Sequence, residues 1–335
     1  MTKGSFVAGL IGALALSTTS ALAGDLELRL ASVAPEGTPW IDSMARYEAS
    51  VEAAADGAVD VQLFPSGQLG DEIQSVQQVR RGRIEGAFVS APSLSTLIPE
   101  LGMIEAPFLW ANPEELDYVM DNYLFDALAP LFEAKGMILV EVMDVGWIHI
   151  LSETPVVMPG DAKGLKPRAV QTKTSMGFWE ALGANPVALP FTDVLPSLQT
   201  GLVNGTDNEL VSIFFAEFYK AAQNLTLTFH SYQLGAVVIS KSWFDGLTPE
   251  QQAMIRKSPD GERAQSRAEV RGLQEWILGQ LEEGGVAIHR LSPDQTAAWK
   301  AALADFNTGL AGELGGSSAE FGALIAQGKD AFAKQ

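Results

Sequence analysis

"MILVEVMDV", residues 137–145, is an almost unbroken apolar run. A strand that alternates apolar and polar residues keeps one face in water, whereas a run like this one is covered on both. It follows a helical stretch, "NPEELDYVMDNYLFDALAPLFEAKG" (112–136), which opens on a capping Asn112 and Pro113 and is expected to break at Pro130. A doubly covered strand after a helix is the unit of an α/β sheet. Residues 137–145 are therefore expected to form a central parallel strand.

The same alternation extends in both directions. "DLELRLASVA" (25–34) puts Leu26, Leu28 and Leu30 on one side of a strand. In "TPWIDSMARYEASVEAAADG" (38–57), Thr38 is placed to cap and Pro39 suits the first helical position. Trp40, Met44, Tyr47 and Val51 make the apolar face of that helix, and Asp56-Gly57 stops it. "AVDVQLFP" and "IEGAFVS" read as strands around a short helix, "DEIQSVQQVRRG", with Ile73, Val76 and Val79 inward. Further on come "FWEALGA", "DVLPSLQTG", "AVVIS", a long helical stretch over 249–283, the strand "GVAIHRL" and C-terminal helices. The expected fold is α/β, with mostly parallel sheets and helices on both faces. At 335 residues two domains and two sheets are expected. No Pro/Gly-rich linker separates them, so the chain is expected to cross more than once, with a ligand cleft at the crossing.

Bulk properties narrow the function. Apolar residues make up 47% and charged residues 19%, the balance of a soluble globular chain. The net charge of −19 leaves no basic stripe to neutralise phosphates, so nucleic acid is not an expected partner. The opening "MTKGSFVAGLIGALALSTTSALAG" has Lys3, an apolar run from Phe6 to Leu16, and Ala21-Leu22-Ala23 before Gly24. This is the pattern of a cleaved secretory leader over 1–23, too short in its apolar part for a membrane span. There is no cysteine, so the exported domain is held by its core. The expected compartment is the bacterial periplasm.

Signatures of catalysis are few. His149, His230 and His289 lie far apart, and none has metal-binding spacing. Neither a G-x-S-x-G elbow nor a nucleotide-binding glycine motif occurs. Acidic residues such as Asp71-Glu72 and Glu114-Glu115 read as solvated faces and first-turn partners of the helix dipole. Polar and aromatic residues instead gather at strand ends, where open α/β sheets bind ligands. They are Ser90 to Ser93 in "VSAPS", Trp147 and His149 in "DVGWIHILSE", and Phe191 and Asn208 in "PFTDVLPSLQTGLVNGTDNEL". Trp40 reads as core. Arg168, in "GLKPRAVQ" (164–171), is a cation inside a half-buried strand pattern. The competing reading from another class is a secreted hydrolase with a carboxylate dyad, since such a pair leaves no sequence signature.

Taken in order, "LFPSGQLGDEIQSVQQVRRGRIEGAF", "APFLW", "GLKPRAV", "ALGANPVALPFTDVLPSLQTGLVNGTDN" and "LTLTFH" cover nearly the whole exported chain. In this order and spacing the sequence resembles the periplasmic solute-binding subunits of tripartite ATP-independent (TRAP) transporters. The resemblance implies two α/β domains joined by crossover strands, with a long helix spanning both. It implies capture of a small organic acid in the cleft, closure around it, and delivery to a membrane permease pair driven by an ion gradient. No cofactor, metal or enzymatic activity is implied, and a monomer is expected. By position, Arg168 takes the family's carboxylate clamp, Asn208 its usual asparagine and Phe191 its aromatic. Ser90 and Ser93 line the first-domain side, and Gln171, Trp147 and His149 complete the expected set. Many acid-binding members carry a second arginine where "GWIHILSE" stands here, so a monocarboxylate is expected in preference to a dicarboxylate or sialic acid. The domains are expected to be 24–145 with about 234–273, and 146–233 with about 274–335.

Overall fold

The computed structural model describes residues 26–56 and 58–335, so the leader assigned to 1–23 lies outside the described residues. The strands are β1 (Leu26–Ala31), β2 (Val59–Phe64), β3 (Gly86–Ser90), β4 (Met137–Ser152), β5 (Pro167–Ala169), β6 (Val187–Ala188), β7 (Gly205–Glu209), β8 (Asn224–Ser240) and β9 (Ala287–Arg290). They form one sheet in the order β2-β1-β3-β8-β4-β7-β5-β6, with β9 added to β8. The mixed α/β class is as expected, and the pairings β1/β2, β1/β3, β5/β6, β5/β7 and β8/β9 are parallel.

Two expectations are corrected at the centre. The run 137–145 is not a parallel strand: β4 pairs antiparallel with β8 on one side and with β7 on the other. An unbroken apolar run reports coverage of both faces and carries no information on direction. Nor does the strand stop at Val145. It runs on through Trp147 and His149 to Ser152, paired with β8 from Met137↔Ser240 to Ser152↔Asn224. Because β4 and β8 traverse the whole molecule, the two expected sheets are one. The register of this pair shifts between Leu139 and Glu141, between Asp144 and Gly146, and between Ile148 and Ile150. Gly146 sits at φ +121°, a backbone state that other residues rarely adopt.

Local signals set the flanking elements. The helix Pro39–Ala55 buries Trp40, Met44, Tyr47 and Val51, the face its period assigned, and ends on a left-handed Asp56. Thr38 occupies the cap position, but its hydroxyl donates back to the Pro35 carbonyl rather than into the helix. Asn112 does cap, accepting from the Glu115 amide at 2.8 Å. The following helix is not broken at Pro130, which lies inside Phe125–Ala134. The irregularity is a wide π-type turn at Met120–Leu124. The long helical stretch is three pieces, Pro249–Arg256, Glu262–Gly272 and Gln274–Glu283, the first gap containing Pro259 and a left-handed Gly261.

Two lobes hang on the central strand pair. In one, Val76, Val89, Leu94 and Ile98 pack with Leu116, Val119 and Leu124. In the other, Ile150, Ala169, Phe178 and Trp179 pack with Trp299 and Leu303. A third cluster runs along one face past both, joining Met44 and Tyr47 to Val194, Leu210 and Ile277. The last helix, Ser318–Phe332, buries Phe321 and Ile325 against Leu116 and Val119. It thus packs with the first lobe, not with the second unit to which 274–335 was expected to belong.

Candidate functional site

A cleft between the lobes encloses about 1050 Å³ of atom-free space, part of it open to solvent. Its walls come from the C-terminal ends of β3, β5 and β7, the middle of β4 and β8, and the helix Glu72–Arg80. Of the expected residues, Arg168, Asn208, Phe191 and Ser90 line it.

Arg168 is the only buried arginine or lysine among the described residues, at 4% exposure. β5 holds it between Val187 of β6 and Thr206 of β7. Pro167 starts that strand, a place where a missing N–H is tolerated. The Arg168 Nε donates to the Leu189 carbonyl at 3.0 Å, which fixes the plane of the guanidinium. No described carboxylate forms an ion pair with it. Burial lowers its pKa, and the fields of Asp207, Glu72 and Glu209 oppose that. An arginine nevertheless stays charged in such a site. Asn208 accepts from the Thr206 hydroxyl at 2.7 Å, so its amide nitrogen is the group left to offer. Phe191 is half-buried against Phe218, with ring centres 5.4 Å apart.

Ser90 and Ser93 do not face the cleft as free hydroxyls. The Ser90 amide donates to Glu72 Oε1 at 2.8 Å, and both hydroxyls donate to Glu72 Oε2, at 2.5 and 2.7 Å. They orient the Glu72 carboxyl, which lines the wall together with Ser90. Gln171 lies beyond β5, exposed and away from the cleft.

Trp147 and His149 are not in the cleft wall either. Since β4 continues past them, they sit in mid-strand opposite Tyr232 of β8 and Asn208 of β7. Trp147 packs edge-on to Tyr232 and Phe229, at 4.9 and 5.8 Å. His149 is buried, accepts from the Phe229 amide at 3.4 Å, and has its pKa pushed down to about 3 by burial, so it is neutral. Trp40, read from sequence as core, is almost buried but forms part of the cleft wall, its indole donating to the Asp144 carbonyl at 2.9 Å.

Sequence reasoning missed the acids. Besides Glu72, the cleft is lined by Glu105, Asp207 and Glu209. Asp207 accepts from Trp179 Nε1 at 3.0 Å and lies 3.6 Å from His230 Nε2. His230 also lines the cleft, stacked on Phe178 with ring centres 4.3 Å apart. Glu209 accepts from the Ser212 hydroxyl through one oxygen; burial pushes its pKa up to about 7. Glu105 is held well above the carboxylate range by burial, with Asp207 and Glu72 adding to the effect. One oxygen of each, Glu105 Oε1 and Glu209 Oε2, is buried without a hydrogen-bond donor. The sequence did carry a signal: "TDNE" at 206–209 ends a strand with four consecutive polar residues, Asn208 among them. Among the described residues, no three or more His, Asp or Glu side chains are grouped to hold a metal.

The profile of the bacterial extracellular solute-binding protein, family 7, matches residues 30–308. The C4-dicarboxylate-binding periplasmic protein DctP of Rhodobacter capsulatus is 28% identical over 314 residues, 91% of this chain and 93% of that one. The 2,3-diketo-L-gulonate-binding periplasmic protein YiaO of Escherichia coli is 28% identical over 290 residues, 86% of this chain and 87% of its own. Among solved structures, the sugar acid binding protein DctPAm of Advenella mimigardefordensis, in complex with galactonate, superposes with a TM-score of 0.86 at 26% identity. That match covers 91% of this chain and 99% of the other.

Proposed function

We propose that this chain, which belongs to the bacterial extracellular solute-binding proteins of family 7, captures a small monocarboxylate in the periplasm and passes it to a TRAP permease. The observation that carries the reading is Arg168: a buried guanidinium, oriented by the Leu189 carbonyl, facing a cleft and paired with no acid of its own. A cleft that strips water from a carboxylate must replace its hydrogen bonds, and the planar fork of arginine matches both oxygens. Asn208 adds an amide donor beside it, and Phe191 and Trp40 supply apolar wall.

One positive charge against several acids supports a monocarboxylate over a dicarboxylate. A second carboxylate in this cleft would meet Glu72 and Asp207 without a cation to offset it. The lobes of this reading are 24–145 with about 234–273, and 146–233 with about 274–317, the helix Ser318–Phe332 returning to the first. The ligand bridges them and shifts the population from open to closed. Calorimetric titration with a panel of carboxylic acids tests the proposal. A hit should bind with one-to-one stoichiometry and without turnover. Arg168→Ala should lose about 2–5 kcal/mol of binding energy, and Arg168→Lys about 1.5 kcal/mol, the worth of one charge-assisted hydrogen bond. Full affinity in the lysine variant would exclude a two-pronged clamp.

A further inference from the structure

Resting on the reading of the cleft as an acid receptor, we propose that its ligand carries a protonated nitrogen beside the carboxylate, as an amino or imino acid does. Among the described residues, Arg168 is the only lysine or arginine in the wall, set among Glu72, Glu105, Asp207 and Glu209. A simple carboxylate would neutralise Arg168 and so remove the one charge that offsets these acids. A ligand with both signs of charge leaves the balance of the cleft unchanged on closure.

The hydrogen-bond inventory points the same way. The Arg168 fork and the Asn208 amide nitrogen are unfilled donors side by side in the wall, which suits an anionic acceptor, and the Gln233 amide is a further unfilled donor. Two unfilled acceptors, Glu105 Oε1 and Glu209 Oε2, are buried. Glu72 already accepts three hydrogen bonds from Ser90 and Ser93, whereas these two oxygens still await N–H or O–H groups. A hydroxyl fills an acceptor but supplies no charge. An ammonium fills both and compensates the acids, and a buried uncompensated charge costs far more than an unmade neutral hydrogen bond. Both carboxyls already resist ionisation in the unliganded cleft, as groups do when their counter-charge is absent. The aromatic rings of Trp40, Phe88 and Phe191 complete the wall and tolerate a cation better than aliphatic side chains do.

The test is titration calorimetry of the purified protein with matched pairs that differ only in nitrogen against oxygen: alanine and lactate, serine and glycerate, aspartate and malate. The nitrogen member of at least one pair should bind at least about tenfold tighter than its partner. Glu209→Gln should weaken that member at least about tenfold while changing the hydroxy acid by less than about threefold, with Glu105→Gln as the second variant should the first fold poorly. Hydroxy acids binding as well as or better than their nitrogen partners would overturn the inference and leave the acid receptor standing. Binding by no acid of either series would overturn both.

Discussion

Arginine is used in two opposite ways in this molecule. On the helix Glu262–Gly272, Arg263, Arg267 and Arg271 recur every fourth residue, on one face, and each meets acids. Arg263 reaches Asp121 at 3.0 Å and also pairs with Glu141. Arg267 reaches Asp117 and Asp121, at 3.0 and 2.7 Å. Arg271 reaches Asp117 and Asp144, at 2.8 and 2.9 Å, with the Tyr232 hydroxyl on the same Asp144 carboxylate. These side chains keep partial access to water and yet are fully paired. Arg168 is more deeply buried, and no described acid pairs with it. The same chain that builds a ladder of ion pairs along one helix leaves its most desolvated cation open. On the proposed reading, the partner that completes it is the ligand's carboxylate.

The contrast can be broken from either side. Arg168→Ala should weaken ligand binding by about 2–5 kcal/mol while lowering the unliganded melting temperature less than Arg271→Ala does, by scanning calorimetry of both variants. Arg271→Ala leaves the buried Asp144 without its main counter-charge and should cost about 3 kcal/mol of folding stability, with ligand affinity preserved. If both variants lose stability equally and neither loses affinity, the distinction between them is wrong.

The acids sharpen it through pH. The Glu209 carboxyl titrates near 7 in the folded protein, above its ordinary value of 4.5. The folded state thus holds a proton that the unfolded state gives up. The stability this contributes is complete below about pH 4.5 and is lost as pH rises through 7. Glu209→Gln should flatten that decline, an effect of roughly 2–3 kcal/mol in urea titrations across the window. Smallest of all, Trp147→Phe should leave affinity within about twofold, since the indole packs on Tyr232 rather than on the ligand; most packing contacts outside a site are near-neutral to binding.

The legible parts of the sequence were those governed by neighbours along the chain. The face of the helix 39–55 and the cap at Asn112 each follow from a few consecutive residues, and both stand in the structure. Arg168 and Asn208 could be placed because short motifs around them matched a family. What could not be read depends on distant partners. Glu72 looked like a first-turn acid on a wet helix face. Only the approach of Ser90 and Ser93, 18 and 21 residues away, turns it into a wall of the cleft. Glu105 and Glu209 owe their character to burial, which no local pattern declares. Trp147 and His149 were misplaced because nothing in "MDVGWIHILSE" marks where the strand ends. Gly146, just past the apolar run, sits at a register slip inside a longer strand.

The β4/β8 pair has a mechanical consequence. Two adjacent strands running the length of both lobes form a leaf spring. Their hydrogen bonds lie in the plane of the sheet and resist sliding or splaying, whereas bending out of that plane strains them little. The three register slips along β4 mark its softest points, because each interrupts the ladder. A binding protein mounted on such a spring has one compliant coordinate and several stiff ones. On the proposed reading, in which the lobes close on a ligand, out-of-plane bending of this pair is the motion the sheet resists least.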